Sequence, residues 1–184
     1  MGDMVTGPGG FIDTRKLVAA VGVTPGMQAA DLGCGSGYFS LDLARAVGPA
    51  GAVFAVDIMQ EPLQSVQTKA EVLGLGNIRT IRADLEVAGG TGISDHSIDI
   101  SLLTNVLFQS QKKDAMIREA VRILKPGGKL VIMDWRKGVP GFGPPDNLRT
   151  SKEEFKRLAE AEGVKLDREV DAGQFYVLLI FMKP

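Results

Sequence analysis

Short apolar runs alternate with amphipathic segments along this chain. The apolar runs predict seven strands, near 27–32, 52–57, 77–84, 97–104, 127–135, 164–170 and 174–182. Apolar residues at helical spacing predict five helices, with stripes at 17–21, 39–47, 63–73, 117–124 and 155–159. Asp13 and the Ser151–Glu154 capping box mark two helix starts, and Gly22, Gly48 and Gly163 mark helix ends.

Strands that alternate with helices predict right-handed crossovers and a mainly parallel sheet with helices on both faces. The predicted fold is therefore a doubly wound, Rossmann-like α/β fold. Only Asp171, Ala172 and Gly173 join the last two strands, which is too short for a crossover helix. These strands are therefore expected to form an antiparallel hairpin. At 184 residues, the chain is expected to form one domain, 1–184.

Charge and residue counts exclude several classes of function. The 21 basic and 22 acidic residues leave a net charge of -1, so no global field attracts nucleic acid or an anionic membrane. One cysteine, Cys34, excludes an internal disulfide framework, and one histidine, His96, argues against a histidine metal site. The longest apolar run, 175–182, is too short to cross a bilayer, and no signal pattern opens the sequence. We expect a cytoplasmic protein without a bound metal and leave its oligomeric state open.

The stretch "ADLGCGSGYF" places Gly33, Gly35 and Gly37 between the first predicted strand and the following helix. In doubly wound sheets this turn approaches the ligand most closely, and glycine lets backbone N–H groups face it. Asp57 ends the second predicted strand, 20 residues after Gly37, where a carboxylate can accept hydrogen bonds from both ribose hydroxyls. The pattern predicts a nucleoside-containing cofactor.

Asp31 narrows the choice of cofactor. These features also suit a nicotinamide or flavin dinucleotide, but a carboxylate two residues before Gly33 would repel the pyrophosphate of such a ligand. It would attract the ammonium and sulfonium of S-adenosylmethionine. The spacing G-x-G-x-G also departs from the G-x-G-x-x-G of dinucleotide sites. A buried aspartate that caps a helix is the alternative interpretation of Asp31.

Five segments in order resemble the class I S-adenosylmethionine-dependent methyltransferases over nearly the whole chain. They are "ADLGCGSGYFSLDLA", "VFAVDI", "RADL", "DISLLTNVLF" and "ILKPGGKLVIMDW". The resemblance implies a seven-stranded sheet in the order 3-2-1-4-5-7-6, with strand 7 antiparallel. It also implies residue roles. Asp31 and the backbone of Gly33 to Gly37, Cys34 included, would hold the methionine part, and Asn105 would lie near it at the substrate mouth. Asp57 would bind the ribose, Ile58 and Leu85 would pack on the adenine faces, and Asp84 would bind the adenine amino group.

The resemblance is closest to the small-molecule branch typified by quinone-biosynthesis methyltransferases, and it implies a small-molecule acceptor. Asn105 is followed by "VLF", so the Asn-Pro-Pro-Tyr pattern of enzymes that methylate nucleic-acid bases is absent. A single cysteine excludes the arsenite chemistry that a related branch performs with several. Cys34 is expected to occupy a position in the glycine turn that requires a small side chain, and His96 is expected to lie in a turn. No catalytic residue is therefore assigned. A non-catalytic accessory subunit that binds S-adenosylmethionine, or a nicotinamide-dependent oxidoreductase, are the alternatives.

The segment Arg136–Ser151 follows the fifth predicted strand and is longer than most connections. It contains three prolines and three glycines, and we expect it to form the acceptor entrance. Phe142 would supply an apolar contact and Arg149 a fork for a carboxylate or phosphate, so Arg149→Ala should abolish methyl transfer. The alternative is that the loop only wraps the sheet edge and that Arg149 pairs with a surface acid. The stretch "TGPGGF" (6–11) is expected to close as a flap. Asp134 and Trp135 are expected on the substrate side, with a core position as the alternative for Trp135.

Overall fold

A computed structural model gives the fold and describes residues 5–6 and 11–184. The strands of this part are β1 (Gln28–Leu32), β2 (Ala52–Asp57), β3 (Ile78–Arg82), β4 (Ile98–Thr104), β5 (Leu124–Trp135), β6 (Lys165–Val170) and β7 (Tyr176–Met182). The α-helices are α1 (Thr14–Val21), α2 (Tyr38–Val47), α3 (Gln60–Val72), α4 (Lys113–Arg122) and α5 (Lys152–Ala161). None of these helices has the length and apolar character needed to cross a bilayer.

The seven strands form one sheet in the order β3-β2-β1-β4-β5-β7-β6. Neighbouring strands from β3 to β5 pair in parallel, whereas β7 pairs antiparallel with both β5 and β6. The doubly wound fold, the strand order and the terminal hairpin are therefore confirmed. The strand order reverses at β1 and β4, which is where such sheets bind ligands.

Two apolar clusters cover the two faces of the sheet. Successive residues of β5 alternate between them, since Leu130 packs in one cluster and Val131 in the other. The first cluster takes in the stripes of α4 and α5, and the second takes in those of α1 and α2. This alternation follows from the period of two along a strand. Because β1 pairs in parallel with β2 and β4, the carboxyl ends of these three strands lie together at one edge.

Side-chain caps begin the first and last helices at the predicted residues. Asp13 accepts hydrogen bonds from the N–H groups of Arg15 and Lys16. The Ser151 hydroxyl accepts from the Glu154 N–H at 3.2 Å. The Glu154 carboxylate does not return this bond, because it pairs with Arg157 at 2.7 Å. The predicted capping box is therefore only half formed.

The boundary between α4 and β5 differs from the prediction. The fourth predicted helical stripe ran from 117 to 124, but α4 ends at Arg122 and Leu124 opens β5. Leu124 pairs with Ile98, and the register then shifts so that Lys129 pairs with Ile100. Leu124 is fully buried, so its apolar character fits either element and the spacing alone could not separate them.

Candidate functional site

A cavity of about 580 Å³ opens at the carboxyl edge of the sheet, a size typical of small-molecule sites. Eight of the ten predicted cofactor residues line it, namely Gly33, Cys34, Gly35, Asp57, Ile58, Asp84, Leu85 and Asn105. The other two, Asp31 and Gly37, do not line it. The connections after β1, β2, β3 and β4 thus converge on one space, because parallel strands end at the same edge.

The glycine loop between β1 and α2 packs against the turn that follows β4. Gly33 has φ +80°, and a Cβ at this residue would lie 2.5 Å from Cγ2 of Val106. Gly33 is therefore required for close packing of the two loops. Gly37 donates its N–H to the Cys34 carbonyl at 3.0 Å and caps α2. A Cβ at Gly37 would lie 2.7 Å from Cγ2 of Val66, so this glycine packs against α3 rather than lining the cavity.

Asp57 anchors the glycine loop as well as lining the cavity. Its carboxylate accepts from the Gly35 N–H and from the Met59 N–H, each at 3.0 Å. A carboxylate has about four acceptor positions, so two such bonds leave capacity for the hydroxyls of a ribose. The ribose contact of Asp57 stays a prediction, and sequence reasoning missed its anchoring of the loop.

Asp31 is fully buried on β1, where one of its oxygens accepts from the Ser40 hydroxyl at 2.6 Å. Among the described residues, Oδ1 has no hydrogen-bond partner. Burial raises the pKa of the Asp31 carboxyl to about 6, and the Ser40 hydrogen bond only partly opposes this. The bond to α2 supports the alternative interpretation, and the free oxygen leaves one acceptor for a cationic or N–H-bearing group.

Asn105 follows β4 and adopts a positive φ of 51°, which is uncommon outside glycine. Its N–H donates to the Met133 carbonyl at 2.8 Å, and its carbonyl accepts from the Gln109 side chain at 3.2 Å. The side-chain Oδ1 is buried and has no hydrogen-bond partner in the described part of the chain. This oxygen is the second unpaired acceptor of the described residues, after Oδ1 of Asp31. A ligand in the cavity that carries a hydrogen-bond donor, such as the ammonium group of an amino acid, would satisfy it.

Apolar side chains occupy the other end of the cavity. Ile58 follows β2, is 57% exposed, and lines the cavity together with Leu85. Asp84, between β3 and Leu85, uses one carboxylate oxygen to accept from the Glu86 N–H at 2.8 Å. Two apolar side chains beside one carboxylate suit a planar heterocycle that carries an amino group. The described residues therefore fit the three parts of S-adenosylmethionine.

Sequence reasoning missed the connection between the loops after β3 and β4. Ser110 donates to the Glu86 carboxylate at 2.6 Å, and the Lys112 ammonium lies 3.3 Å from it. Hydrogen bonds from Ser110 and Lys112 lower the pKa of Glu86. Glu86, Gln109 and Ser110 all line the cavity. Glu86 and Ser110 lie several residues beyond the ends of β3 and β4, and no motif in the sequence marks them as partners.

Asp134 and Trp135 end β5 but do not line this cavity. Asp134 is buried, and burial raises its pKa to about 6 despite hydrogen bonds from the N–H groups of Trp135, Phe108 and Leu107. Trp135 packs against Tyr176 with ring centroids 4.6 Å apart and lies against the apolar cluster of α1 and α2. Asp134 therefore holds the turn after β4, and Trp135 forms part of the core boundary.

Arg149 does not present a fork to a ligand, so that expectation is wrong. The residue is 6% exposed, and its guanidinium donates to the carbonyl oxygens of Arg136, Val139, Phe142 and Pro144. The carbonyls of this irregular loop have few backbone N–H partners, and the buried arginine supplies the donors instead. Arg149 therefore fixes the loop.

The remaining expectations concern single residues and the N-terminus. His96 lies in a turn with φ 54°, as predicted. Burial raises the pKa of the Cys34 thiol far above neutral pH, which agrees with a packing role rather than nucleophilic chemistry. The predicted flap at 6–11 falls largely on residues 7–10, which lie outside the described residues.

Known proteins share this combination of fold and loop. A family model described as "Methyltransferase domain" matches residues 23–175. The Haemophilus ducreyi ubiquinone/menaquinone biosynthesis C-methyltransferase is 33% identical over 135 residues, 73% of this chain and 50% of that protein. An arsenite methyltransferase of Aquipseudomonas alcaligenes is 35% identical over 121 residues, 64% of this chain and 35% of that protein.

Among solved structures, a SAM-dependent methyltransferase from Aquifex aeolicus superposes with a TM-score of 0.86 and 25% identity, covering 95% of this chain and 92% of that one. The chain spans about a third to a half of the length of the curated relatives that it matches. The family match over residues 23–175, the strand order and the glycine loop all indicate the same family. The chain therefore belongs to the S-adenosylmethionine-dependent methyltransferase family.

Proposed function

We propose that this protein binds S-adenosylmethionine in the cavity at the carboxyl edge of the sheet and transfers its methyl group to a small-molecule acceptor. The observation that carries the proposal is the position of Asp57. Its carboxylate lines the cavity and at the same time holds the glycine loop through the Gly35 N–H at 3.0 Å. The same carboxylate could thus accept hydrogen bonds from the ribose and also fix the loop that would face the methionine part of the cofactor.

The other side chains would hold the remaining parts of the cofactor. Ile58 and Leu85 would pack on the two faces of the adenine, and Asp84 would accept from its amino group. The unpaired oxygens of Asp31 and Asn105 would accept from the methionine ammonium, directly or through a water molecule. The balanced charge of the chain, -1, supports a small molecule rather than a nucleic acid as the acceptor.

The chemistry requires positioning more than acid–base catalysis. When bound, S-adenosylmethionine supplies a methyl group on a sulfonium, which is already activated for in-line displacement. The chain must then align the acceptor and exclude water, and effective molarities in aligned systems reach roughly 10⁵ to 10⁸ M. The packed contact between the glycine loop and Val106 supplies a rigid wall for this alignment.

Isotope-labelled S-adenosylmethionine and an extract of small metabolites test the proposal. The purified protein should transfer label to a metabolite, and Asp57→Ala should transfer far less at the same cofactor concentration. Cofactor binding without any transfer to the extract would instead support a non-catalytic accessory subunit. The absence of both binding and transfer would contradict the proposal.

Asp31 predicts a pH dependence of cofactor affinity. Its pKa is raised to about 6, so below that pH the carboxyl binds a proton that a cationic ligand must displace. Affinity for S-adenosylmethionine should therefore fall by up to about tenfold per pH unit below pH 6 and level off above it. Calorimetric titrations between pH 5 and 8 measure this.

Asp31→Asn is the matched variant for this experiment, since the change removes the titrating group while keeping its size. Asp57 and Cys34 are the titratable groups that interact with Asp31, and both remain in the variant. Its affinity should be lower at pH 8 and nearly independent of pH. An unchanged pH profile in Asp31→Asn would show that another group is responsible.

A further inference from the structure

Five aromatic side chains form a continuous group beside the end of β5. We call Phe11, Trp135, Phe142, Phe175 and Tyr176 the aromatic platform. Phe142 lies at its centre, with ring centroids 5.3 Å from Phe11, 5.9 Å from Trp135 and 5.8 Å from Phe175. Phe142 is 46% exposed and Phe11 49% exposed, so two of the rings present apolar faces outside the core.

The loop that carries Phe142 is held in place from two sides. The buried Arg149 guanidinium donates to four of its carbonyls, including that of Phe142. On the other side Gly143 lies so close to Trp135 that a Cβ would come within 2.5 Å of the indole ring. Phe142 is therefore preorganised in its exposed position, which reduces the entropy lost when a ligand packs against it.

The aromatic platform lies at the same edge of the sheet as the cofactor cavity. Phe39 lines that cavity and packs against the same apolar cluster as Trp135 and Phe175. The Asn105 N–H, at the cavity wall, donates to the carbonyl of Met133, two residues before Trp135. A molecule seated on the platform would therefore be close to the methionine end of the cavity.

The cations of the loop either donate to carbonyl oxygens or line a different groove. Arg149 is used by carbonyl oxygens, and Arg136 donates to the Tyr176 carbonyl at 2.8 Å. Lys137 lines a groove between α4 and α5, on the sheet face opposite to α1 and α2. Carbonyl oxygens thus occupy Arg136 and Arg149, and the surface of the platform itself consists of ring faces and edges.

We propose that the aromatic platform is the acceptor-binding surface and that the acceptor is uncharged, with an aromatic ring or a comparable apolar part. The inference rests on the proposed function, because the acceptor is defined relative to the bound cofactor. Phe142 and Phe11 are its specificity-determining contacts. Offset or edge-to-face packing against these rings selects planar apolar molecules.

The test uses N-phenyl-1-naphthylamine, a neutral fluorophore that brightens in apolar surroundings. It is titrated into the full chain saturated with S-adenosylhomocysteine. Wild-type protein should bind the fluorophore, and Phe142→Ala should weaken that binding about tenfold, the scale of one buried aromatic contact. Phe11→Ala should act in the same direction. Val72→Ala, which alters an 81% exposed apolar residue at the end of α3, is the matched control and should change nothing.

Two further arms keep the result decisive. A sulfonated analogue, 8-anilinonaphthalene-1-sulfonate, should bind more weakly than the neutral fluorophore, and tighter binding would contradict the uncharged acceptor. Calorimetry with S-adenosylhomocysteine on each variant separates the two proposals. If all variants bind it equally while Phe142→Ala leaves fluorophore binding unchanged, the platform is not the acceptor site. If wild type does not bind S-adenosylhomocysteine, the proposed function itself fails.

Discussion

Replacing Glu119 with glutamine is expected to lower the free energy of unfolding by about 1 to 3 kcal/mol, the usual cost of leaving buried hydrogen-bonding groups unsatisfied. Glu119 is 1% exposed on α4. Its carboxylate accepts from the N–H groups of Gly89 and Thr91, from the Thr91 hydroxyl and from the Arg122 guanidinium. These bonds tie the loop after β3 to α4. The amide of glutamine would turn an N–H₂ group toward donors and leave Arg122 without its buried partner.

Urea denaturation measures this loss, with fluorescence from the single tryptophan, Trp135, as the signal. Asp114→Asn on the same helix is the matched control, since the Asp114 side chain is 57% exposed and lies 3.9 Å from the Arg118 guanidinium. That control should lose no more than about 1 kcal/mol. A loss below 1 kcal/mol for Glu119→Gln would mean that the network contributes little.

The contribution of Glu119 to the free energy of unfolding also depends on pH. Burial opposes its ionisation, but hydrogen bonds from Arg122, Thr91 and Gly89 outweigh burial and lower its pKa to about 2, from the ordinary value of 4.5. Because the pKa of Glu119 is lower in the folded state than in the unfolded state, its ionised carboxylate stabilises the folded protein at pH values above the unfolded pKa. This stabilisation is lost as the pH falls through about 2. The difference between wild type and Glu119→Gln should therefore be constant above about pH 5 and shrink toward pH 2.

Asp57→Ala is expected to weaken S-adenosylhomocysteine binding by about 1 to 3 kcal/mol, or roughly fivefold to 150-fold, the scale of hydrogen bonds to a charged group. The variant loses the ribose acceptor and also releases the Gly35 and Met59 N–H groups that the carboxylate holds at 3.0 Å. Asp84→Ala should cost less, because water can replace its bond to the adenine amino group. Calorimetry gives each dissociation constant.

Asp57→Asn tests whether the acceptor oxygens of the side chain, rather than its size, are required. Asparagine keeps one acceptor oxygen but turns an N–H₂ group toward either Gly35 or Met59. It should therefore bind S-adenosylhomocysteine more weakly than wild type, even though its size is unchanged. Asp114→Ala on α4 serves as the control and should bind as wild type. If Asp57→Ala kept full affinity, Asp57 would not be the ribose acceptor.

The strands and helices themselves were predictable, because they follow from local residue periodicity. The short link at 171–173 predicted the terminal hairpin on steric grounds alone. The order of the other strands came from the resemblance to methyltransferases, since pairing between distant strands leaves no signal in a single sequence. Leu124 shows the limit of periodicity, because a buried leucine fits both the end of α4 and the start of β5.

The candidate site was predictable where the signal lay in a motif and not where it depended on long-range contacts. Gly33, Asp57 and Asn105 line the cavity because each lies at or directly after the end of a strand. Arg149 has the chemistry of an anion-binding residue, yet carbonyl groups within its own loop bind it. The Glu86–Ser110 hydrogen bond joins loops 24 residues apart, and no pattern announces such a pair.

Calorimetric titration of the wild-type protein with S-adenosylhomocysteine and, separately, with NAD tests the central claim most directly. The described cavity has carboxylates at Asp57 and Asp84 and places the buried Asp31 two residues before the glycine loop. This arrangement favours an ammonium-bearing nucleoside over a pyrophosphate. We predict one S-adenosylhomocysteine bound per chain and no heat from NAD. Binding of NAD without binding of S-adenosylhomocysteine would contradict the account.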